Sequence, residues 1–225
     1  MLKLLSPLEI QSNKWRAELA ENGIQGGWNY YLDHAFLYEE IASYVAQHNS
    51  EYLTILDVGC GNSMLHTFLE DKLHLGIIGV DRVVGHCPFD VRDKRMDLCI
   101  DFNDNEIFHE NVDIVFWNSA IEHNEIDVIK KSINASHRAL KSGGLFLATF
   151  AISPETHWFP PAQQTNLSIA DAESTFNDVF EGPVDFYELV KEYKSSSMDL
   201  FDRHRKRFGT DEFSYIVGAS RQIKS

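Results

Sequence analysis

The sequence has few cysteines and no long apolar run, and each shortage excludes a class of protein. Its three cysteines, Cys60, Cys87 and Cys99, have no CxxC spacing and leave an odd thiol. This pattern argues against a disulfide framework and against a structural zinc site, so a reducing, cytoplasmic environment is expected. The apolar start of the chain ends at Ser6-Pro7, and no later run approaches the ~20 residues of a membrane span. Neither secretion nor membrane insertion is expected.

Positive charge is also scarce. The chain has 20 Lys and Arg residues against 34 Asp and Glu residues, which gives a formal net charge of −14. A negative mean field repels the phosphates of nucleic acids and of anionic lipids. We therefore expect neither nucleic acid nor a membrane surface as a partner.

The length of 225 residues fits one α/β domain, residues 1–225, made of three parts. Residues 1–50 have a helical pattern with a glycine-rich break at 22–27, which predicts an N-terminal helical lid. Residues 51–152 alternate short apolar strands with helices, as in a parallel, doubly wound sheet. Residues 153–225 are predicted to form an acceptor-side insert followed by a final strand.

The predicted elements follow from this alternation. The strands are residues 54–58, 77–80, 96–100, 112–117, 145–150 and 213–217. The crossover helices are expected near 64–72 and 127–140, and the second is closed by the Lys-Ser-Gly-Gly segment at 141–144. A further polar helix is expected near 171–180.

Two glycines follow the first core strand in the segment "ILDVGCGNS", residues 55–63. Gly59 and Gly61 would allow the backbone to approach a ligand at the carboxyl end of a strand, where open α/β sheets bind their ligands. Met64 occupies the position of the third glycine of the dinucleotide fingerprint, and no P-loop motif is present here. The turn therefore disfavours a pyrophosphate.

Asp81 ends the second core strand, twenty residues after Gly61. A carboxylate at this place can accept hydrogen bonds from both hydroxyls of a ribose. Alternatively, Asp81 only caps a helix or ends its strand. Taken together with the glycine turn, the position favours a ligand with an unphosphorylated ribose.

Four segments, "LDVGCGNS", "GVDR", "VDIVFWNSAIEH" and "RALKSGGLFLATF", resemble in order and spacing the motifs of class I S-adenosylmethionine-dependent methyltransferases of the small-molecule type. The resemblance covers residues 54–150, somewhat under half of the chain. It implies a Rossmann-like, doubly wound sheet of seven strands, mostly parallel with the last strand antiparallel. It also implies S-adenosyl-L-methionine as cofactor and S-adenosyl-L-homocysteine as product.

The resemblance further implies which residues bind the cofactor. Asp57, Gly59, Cys60 and Gly61 would form the methionine-binding turn, and Asp81 would hold the ribose with Arg82 beside it. Asp101 and Phe102 would contact the adenine, and Asn118 and Ser119 would lie near the sulfonium. An acid such as Asp57 would repel a pyrophosphate but tolerate a cationic cofactor.

The pair Glu122-His123 raises the question of a metal. Some methyltransferases that this chain resembles bind a divalent cation through E-x-x-E-H, but here Ser119 takes the first position. One Glu with one His is a poor ligand set for a hard cation, so no metal is predicted. His123 is instead the first candidate for a catalytic base, and His157 is the second. The alternative for His123 is a structural, hydrogen-bonded histidine.

Aromatic and basic residues outside the sheet suggest where an acceptor binds. Trp28 and Tyr30 are predicted to form one wall of the acceptor site, and Trp158 the other. The alternative for each aromatic residue is an ordinary core position. Arg203 and Arg205 belong to a basic segment that would dock an anionic acceptor, or else form a solvated helix face.

The sequence thus predicts a methyltransferase that acts on a small polar acceptor, at an oxygen of a sugar, a phosphorylated metabolite or a similar compound. A monomer or a homodimer is expected. Nitrogen acceptors remain open, although the Asn/Asp-Pro-Pro-aromatic signature of nucleobase N-methyltransferases is absent from residues 117–120. The alternatives are a protein side-chain methyltransferase, a partner subunit that binds the cofactor without turnover, and a nicotinamide oxidoreductase, which Met64 disfavours.

Overall fold

The computed structural model describes residues 1–6, 18–19, 21, 30–48, 52–61, 64–82, 96–99, 101–104, 107–181, 188, 191, 205–206, 209 and 216–225. At 30–31, 64, 96–99 and 104 it describes the backbone alone. In this part of the chain, no helix has the length and apolar character needed to cross a bilayer.

Strands and helices alternate through the described residues. The strands are β1 (Leu2–Leu5), β2 (Ile55–Val58), β3 (Ile77–Asp81), β4 (Met96–Cys99), β5 (Val112–Trp117), β6 (Leu140–Ile152), β7 (His157–Phe159), β8 (Gln164–Asn166) and β9 (Ile216–Ile223). The helices are α1 (Tyr30–His48), α2 (Met64–Leu73), α3 (Ile126–Ala139) and α4 (Ile169–Phe176), and a 3-10 turn covers Phe102–Asp104.

Seven of these strands form one sheet in the order β1-β9-β6-β5-β2-β3-β4, and β7 pairs with β8 in a separate hairpin. β9 runs antiparallel to both of its neighbours. The pairs among β2, β3, β4, β5 and β6 are parallel. The predicted fold class, a mostly parallel α/β sheet whose last strand is antiparallel, is confirmed.

The chain changes direction across the sheet at β2. From β2 it proceeds outward through β3 to β4, and it then returns to β5 on the other side of β2. In open α/β sheets, ligands bind outside the carboxyl ends of the strands at such a switch point. The fold therefore places the glycine turn, which follows β2, where a ligand is expected.

Most predicted boundaries agree with the structure to within a residue or two. β5 has the predicted bounds, β2, β3 and α2 differ by one residue at one end, and α3 begins and ends one residue earlier than predicted. Helix α4 stops before its predicted end because Asn177 adopts a left-handed conformation with φ +52°. β6 is longer than predicted, since the segment at 141–144 interrupts its pairing with β5 without ending the strand.

The first part of the chain begins with a strand, whereas a helical region over residues 1–50 was predicted. β1 pairs with β9 at the other end of the chain and buries Leu2 and Leu5. A four-residue apolar segment has no periodicity that could predict such a long-range pairing. Helix α1 covers the second half of the predicted lid, and most of residues 7–29 lie outside the described residues. The predicted lid and the three-part domain division stay predictions.

The hydrophobic core holds the carboxyl edge of the sheet rigid. The central strands β5 and β6 bury Phe116, Phe146 and Phe150, and α3 packs on the sheet through buried positions such as Ile129 and Ile133. Burying each of these large apolar side chains contributes roughly 2 kcal/mol. The loops at the carboxyl edge therefore rest on a well-packed scaffold.

Candidate active site

The turn after β2 requires glycine at its first position. Gly59 has φ +71°, and its N–H donates to the carbonyl of Val80 at 2.7 Å. A Cβ atom at Gly59 would lie 2.5 Å from the Cβ atom of Ala120, which is closer than any real contact. Because both the backbone angle and the space exclude a side chain, the backbone of the turn lies directly against the loop that follows β5.

Asp81 closes this turn from the end of β3. Its Oδ2 atom accepts a hydrogen bond of 3.0 Å from the N–H of Gly61, which itself has φ +43°. The contact joins residues twenty positions apart. It fixes the carboxylate at the rim of the turn, where the sequence predicted a ribose-binding acid.

A pocket with a volume of about 180 Å³ lies at the carboxyl edge of the sheet. Its described lining comes from the ends of β2 to β5, with one residue of α3: Val58, Gly59, Val80, Asp81, Arg82, Asp101, Phe102, Asn103, Trp117, Ala120, His123, Asn124 and Ser132. The structure thus brings together Gly59, Asp81, Arg82, Asp101 and Phe102, all predicted cofactor residues, with His123, a predicted base.

Two aromatic rings form one wall of the pocket. Phe102 and Trp117 meet edge to face with their centroids 5.9 Å apart, and the indole Nε1–H of Trp117 donates to Ser136 at 3.0 Å. Next to them Asp101 accepts a hydrogen bond from the backbone N–H of Asn103 at 3.1 Å. A flat apolar wall beside carboxylates suits a purine attached to a sugar.

The loop after β5 is fixed to the β7-β8 hairpin. The carbonyl of Glu122 accepts a hydrogen bond from the N–H of Thr165 at 2.7 Å, and the hydroxyl of Thr165 donates to the carbonyl of Asn124. His123 is exposed, and its Nδ1 atom lies 2.9 Å from the carbonyl of Gln163. Since a carbonyl only accepts, Nδ1 carries the proton and Nε2 of the neutral ring keeps its lone pair.

Asp57 lies beneath the turn and is fully buried. One of its carboxylate oxygens is 3.4 Å from Nδ1 of His66, and Nε2 of His66 lies 3.2 Å from the carbonyl of Ile77. The described lining of the pocket does not include Asp57. Its predicted part in cofactor binding stays a prediction, and its observed contact supports the turn from below.

Asn118 and Ser119 lead into a buried polar cluster on the α1 side of the loop. Ser119, with φ +45°, donates its hydroxyl proton to Asp33 of α1 at 2.6 Å, and its N–H donates to the hydroxyl of Thr149 at 3.0 Å. Glu122 also lies within hydrogen-bonding reach of Ser119. Asp33 is 0 % exposed and Glu122 is 4 % exposed. We call Asp33, Ser119 and Glu122 the carboxyl cluster.

Burial disfavours the charged forms of both acids. It raises the pKa of Asp33 from an ordinary value of 3.8 to about 8; the Ser119 hydroxyl opposes this rise and the nearby Glu122 charge adds to it. Burial likewise raises the pKa of Glu122 from 4.5 to about 8, opposed by the hydrogen bond with its own backbone and by the nearby Ser119 side chain. Without a counter-charge, the cluster therefore holds protons at neutral pH.

This shift predicts a pH-dependent stability. A carboxyl whose pKa rises on folding binds its proton more tightly in the folded state, so the free energy of unfolding falls as pH rises from about 4 to about 8. Glu122→Gln removes the part of that dependence that Glu122 contributes and leaves the part that Asp33 contributes. Between about pH 5 and about pH 8, the wild type should lose about 3 kcal/mol more stability in urea unfolding than the variant. The exposed Glu125→Gln is the control, and parallel profiles for all three proteins would contradict the prediction.

The remaining predicted residues lie away from the pocket or outside the description. Cys60 is buried and its N–H donates to Val80 at 3.3 Å. His157 and the 47 % exposed Trp158 lie on β7, and neither belongs to the described lining. Arg205 is exposed. Trp28, Arg203 and the side chain of Tyr30 lie outside the described residues, and the roles predicted for all of these stay predictions.

Several site residues were missed by the sequence interpretation. Asn103, Trp117 and Asn124 line the pocket, and Asp33 reaches the carboxyl cluster from α1. Trp117 was recognised only as the end of a strand. The sequence signal for Asp33 was weak. An acid in a helix next to aromatic residues is equally typical of an exposed position.

The comparison with known families matches this geometry. The family "Methyltransferase domain" matches residues 56–148, from β2 through the glycine turn, Asp81 and the β5 loop into β6. The match covers somewhat under half of the chain and includes the strands that carry the pocket. The resemblance to class I S-adenosylmethionine-dependent methyltransferases is confirmed, and so is S-adenosylmethionine as the cofactor of this domain type.

Solved structures with the same fold have different activities. The [4+2]-cyclase SpnF is 13 % identical with a TM-score of 0.59, over 89 % of this chain and 84 % of that one. A putative sarcosine dimethylglycine methyltransferase from Galdieria sulphuraria is 13 % identical with a TM-score of 0.56, over 99 % and 92 %. The cyclopropane synthase MmaA2 from Mycobacterium tuberculosis is 17 % identical with a TM-score of 0.52, over 82 % and 84 %.

At such identities the likeness shows the fold alone, and the fold does not select an acceptor. A comparison with curated proteins finds no match. The acceptor must therefore be argued from the residues of this chain.

Proposed function

We propose that this methyltransferase transfers the methyl group of S-adenosylmethionine to a small polar acceptor, at oxygen as the sequence predicts. The observation that carries the proposal is the pocket in which the glycine turn, Asp81 and the Phe102-Trp117 wall meet at the switch point of the sheet. When bound, the cofactor supplies an electrophilic methyl group on sulfur.

The described residues fit the parts of this cofactor. The Gly59 position leaves no room for a Cβ atom, so the backbone itself forms the floor of the pocket. Asp81 is fixed at the rim, where its carboxylate can accept ribose hydroxyl protons. Phe102 and Trp117 offer apolar faces for a purine. Among the described lining residues, Arg82 is the one Arg or Lys side chain. The described lining therefore offers no group of basic side chains for a pyrophosphate.

In this proposal the chain contributes position and proton acceptance. Gly59, Asp81, Phe102 and Trp117 would hold the cofactor in this pocket, and it would supply a methyl group to an acceptor positioned by the site, with S-adenosylhomocysteine as the leaving group. His123 lines the pocket with Nε2 unprotonated, because its Nδ1 proton is held by the carbonyl of Gln163. The imidazole would take the acceptor proton as the methyl group is transferred.

This role of His123 gives a testable prediction. His123→Gln should lower kcat by about a hundred-fold. The affinity for S-adenosylhomocysteine should stay the same, because a general base acts on the acceptor only. The exposed His109→Gln is the matched control. An unchanged kcat in His123→Gln would leave this histidine a structural role.

The product identifies the acceptor atom. The enzyme is incubated with S-adenosylmethionine labelled with carbon-13 in its methyl group, and with sugars, sugar phosphates and amino alcohols. The carbon-13 chemical shift of the product separates O-methyl from N-methyl and C-methyl groups. An O-methyl product supports the full proposal, and an N-methyl or C-methyl product keeps the transferase and corrects the atom. A hydride-transfer absorbance change with a nicotinamide cofactor, without methyl transfer, would contradict the proposal.

A further inference from the structure

The carboxyl cluster and the adjacent Asn118 contain buried oxygen atoms without hydrogen-bond donors. Among the described residues, Oδ1 of Asp33, Oε2 of Glu122 and Oδ1 of Asn118 have no hydrogen-bond partner, although each atom is buried. The two acids are themselves more than nine-tenths buried. Unpartnered buried polar atoms are costly, so a native site that keeps three of them together is expected to bind a group that satisfies them.

The chemistry of these atoms defines that group. All three are oxygens that accept hydrogen bonds, and two belong to acids. The Arg and Lys ion pairs found in the described residues do not involve Asp33 or Glu122. A group with several N–H donors and a positive charge would satisfy both the hydrogen bonds and the charge, whereas a phosphate or a carboxylate would be repelled.

The position of the cluster assigns it to the acceptor side. In the proposed function, adenosine occupies the β3-β4 end of the pocket, at Asp81 and Phe102. The cluster lies beyond the opposite end, since Ser119 stands between the pocket residues Trp117 and Ala120 and contacts Asp33 of α1 and Thr149 of β6. Asp33 and Glu122 are buried and lie outside the described lining of the pocket, so an acceptor group would have to pass Ser119 to meet these carboxyls.

We propose that Asp33, Ser119 and Glu122 form a subsite for an ammonium group of the acceptor, so that the substrate class is small amines such as amino alcohols. The inference rests on the proposed function. It concerns the ammonium group that anchors the acceptor, and the methylated atom can still be a hydroxyl oxygen of the same molecule. The raised pKa values of both acids fit this role, because an ammonium group would replace the protons that the carboxyl cluster holds. The subsite favours a cationic acceptor over the anionic one that the basic segment at 203–207 suggested.

The test uses the full-length protein saturated with S-adenosylhomocysteine, and saturation-transfer NMR because this method detects weak binding. The probes are ethanolamine, which is a cation at neutral pH, and ethylene glycol, its uncharged counterpart of similar size. Ethanolamine is expected to bind and ethylene glycol is not. Asp33→Asn and Glu122→Gln should each weaken ethanolamine binding about ten-fold or more, and Glu125→Gln, on the exposed side of the same loop, should not.

Several results would overturn the inference. The first is equal binding of the two probes, and the second is ethanolamine binding that both variants leave unchanged. The third is a loss of S-adenosylhomocysteine affinity in both variants with no loss for 5′-methylthioadenosine, which would assign the cluster to the ammonium group of the cofactor. If Asp33→Asn does not fold, Glu122→Gln carries the test. If S-adenosylhomocysteine does not bind the wild type, the proposed function itself is overturned. If S-adenosylhomocysteine binds but ethanolamine does not, only this inference is overturned.

Discussion

Asp81→Ala is expected to weaken S-adenosylmethionine binding by about a hundred-fold, because two charge-assisted hydrogen bonds to a ribose are worth about 3 kcal/mol together. The same substitution removes the acceptor for the N–H of Gly61, so the glycine turn also loses its tie to β3. Both effects act on binding and leave the core of the sheet unchanged. Calorimetric titration with S-adenosylmethionine and S-adenosylhomocysteine measures the loss.

Two further variants separate these effects. Asp81→Asn keeps a side-chain oxygen for the N–H of Gly61 but removes the charge, so it should bind more tightly than Asp81→Ala and less tightly than the wild type. Asp71→Ala replaces an exposed acid on α2 and should bind like the wild type. If Asp81→Ala bound the cofactor as well as Asp71→Ala, the ribose role of Asp81 would be wrong.

Gly59→Ala is expected to cost about 3 kcal/mol of stability and to abolish cofactor binding. The new Cβ atom would lie 2.5 Å from the Cβ atom of Ala120, and neither atom can rotate away. Overpacking of this kind typically costs 1–3 kcal/mol, and the positive φ of +71° adds about 1 kcal/mol more. The strain is relieved only if the turn moves away from the β5 loop, which would distort the floor of the pocket.

Gly143 provides the matched control for this prediction. It has a similar φ of +79°, but a Cβ atom there would meet nothing within 4 Å. Gly143→Ala should therefore cost only the backbone term, about 1 kcal/mol, and should leave cofactor binding intact. Urea unfolding of both variants measures the difference, which isolates the contact with Ala120. Equal losses in the two variants would show that the close approach has no energetic weight.

The parts of the fold that could be predicted are those with local signals. β5 has the predicted bounds because five of its six residues are apolar, as in a buried parallel strand. The glycine turn and Asp81 could be placed because backbone chemistry at a strand end restricts the residue types there. Their contact through Gly61 agrees with the sequence spacing on which the prediction was based.

The parts that could not be predicted depend on contacts between distant residues. β1 exists because Leu2–Leu5 pair with a strand at the other end of the chain, which no local pattern encodes. The hydrogen bond between Ser119 and Asp33 spans 86 residues, and an acid on a helix usually faces solvent. His123 and Glu122 were adjacent in the sequence, yet the structure separates them into an exposed pocket residue and a buried acid.

The central claim is that the pocket after β2 binds S-adenosylmethionine, and titration calorimetry tests it most directly. The purified full-length protein is titrated in turn with S-adenosylmethionine, S-adenosylhomocysteine and NAD. We predict saturable one-to-one binding of the first two and none of NAD, because the turn lacks the third glycine of a dinucleotide site. Binding of NAD alone, or of none of the three, would contradict this account.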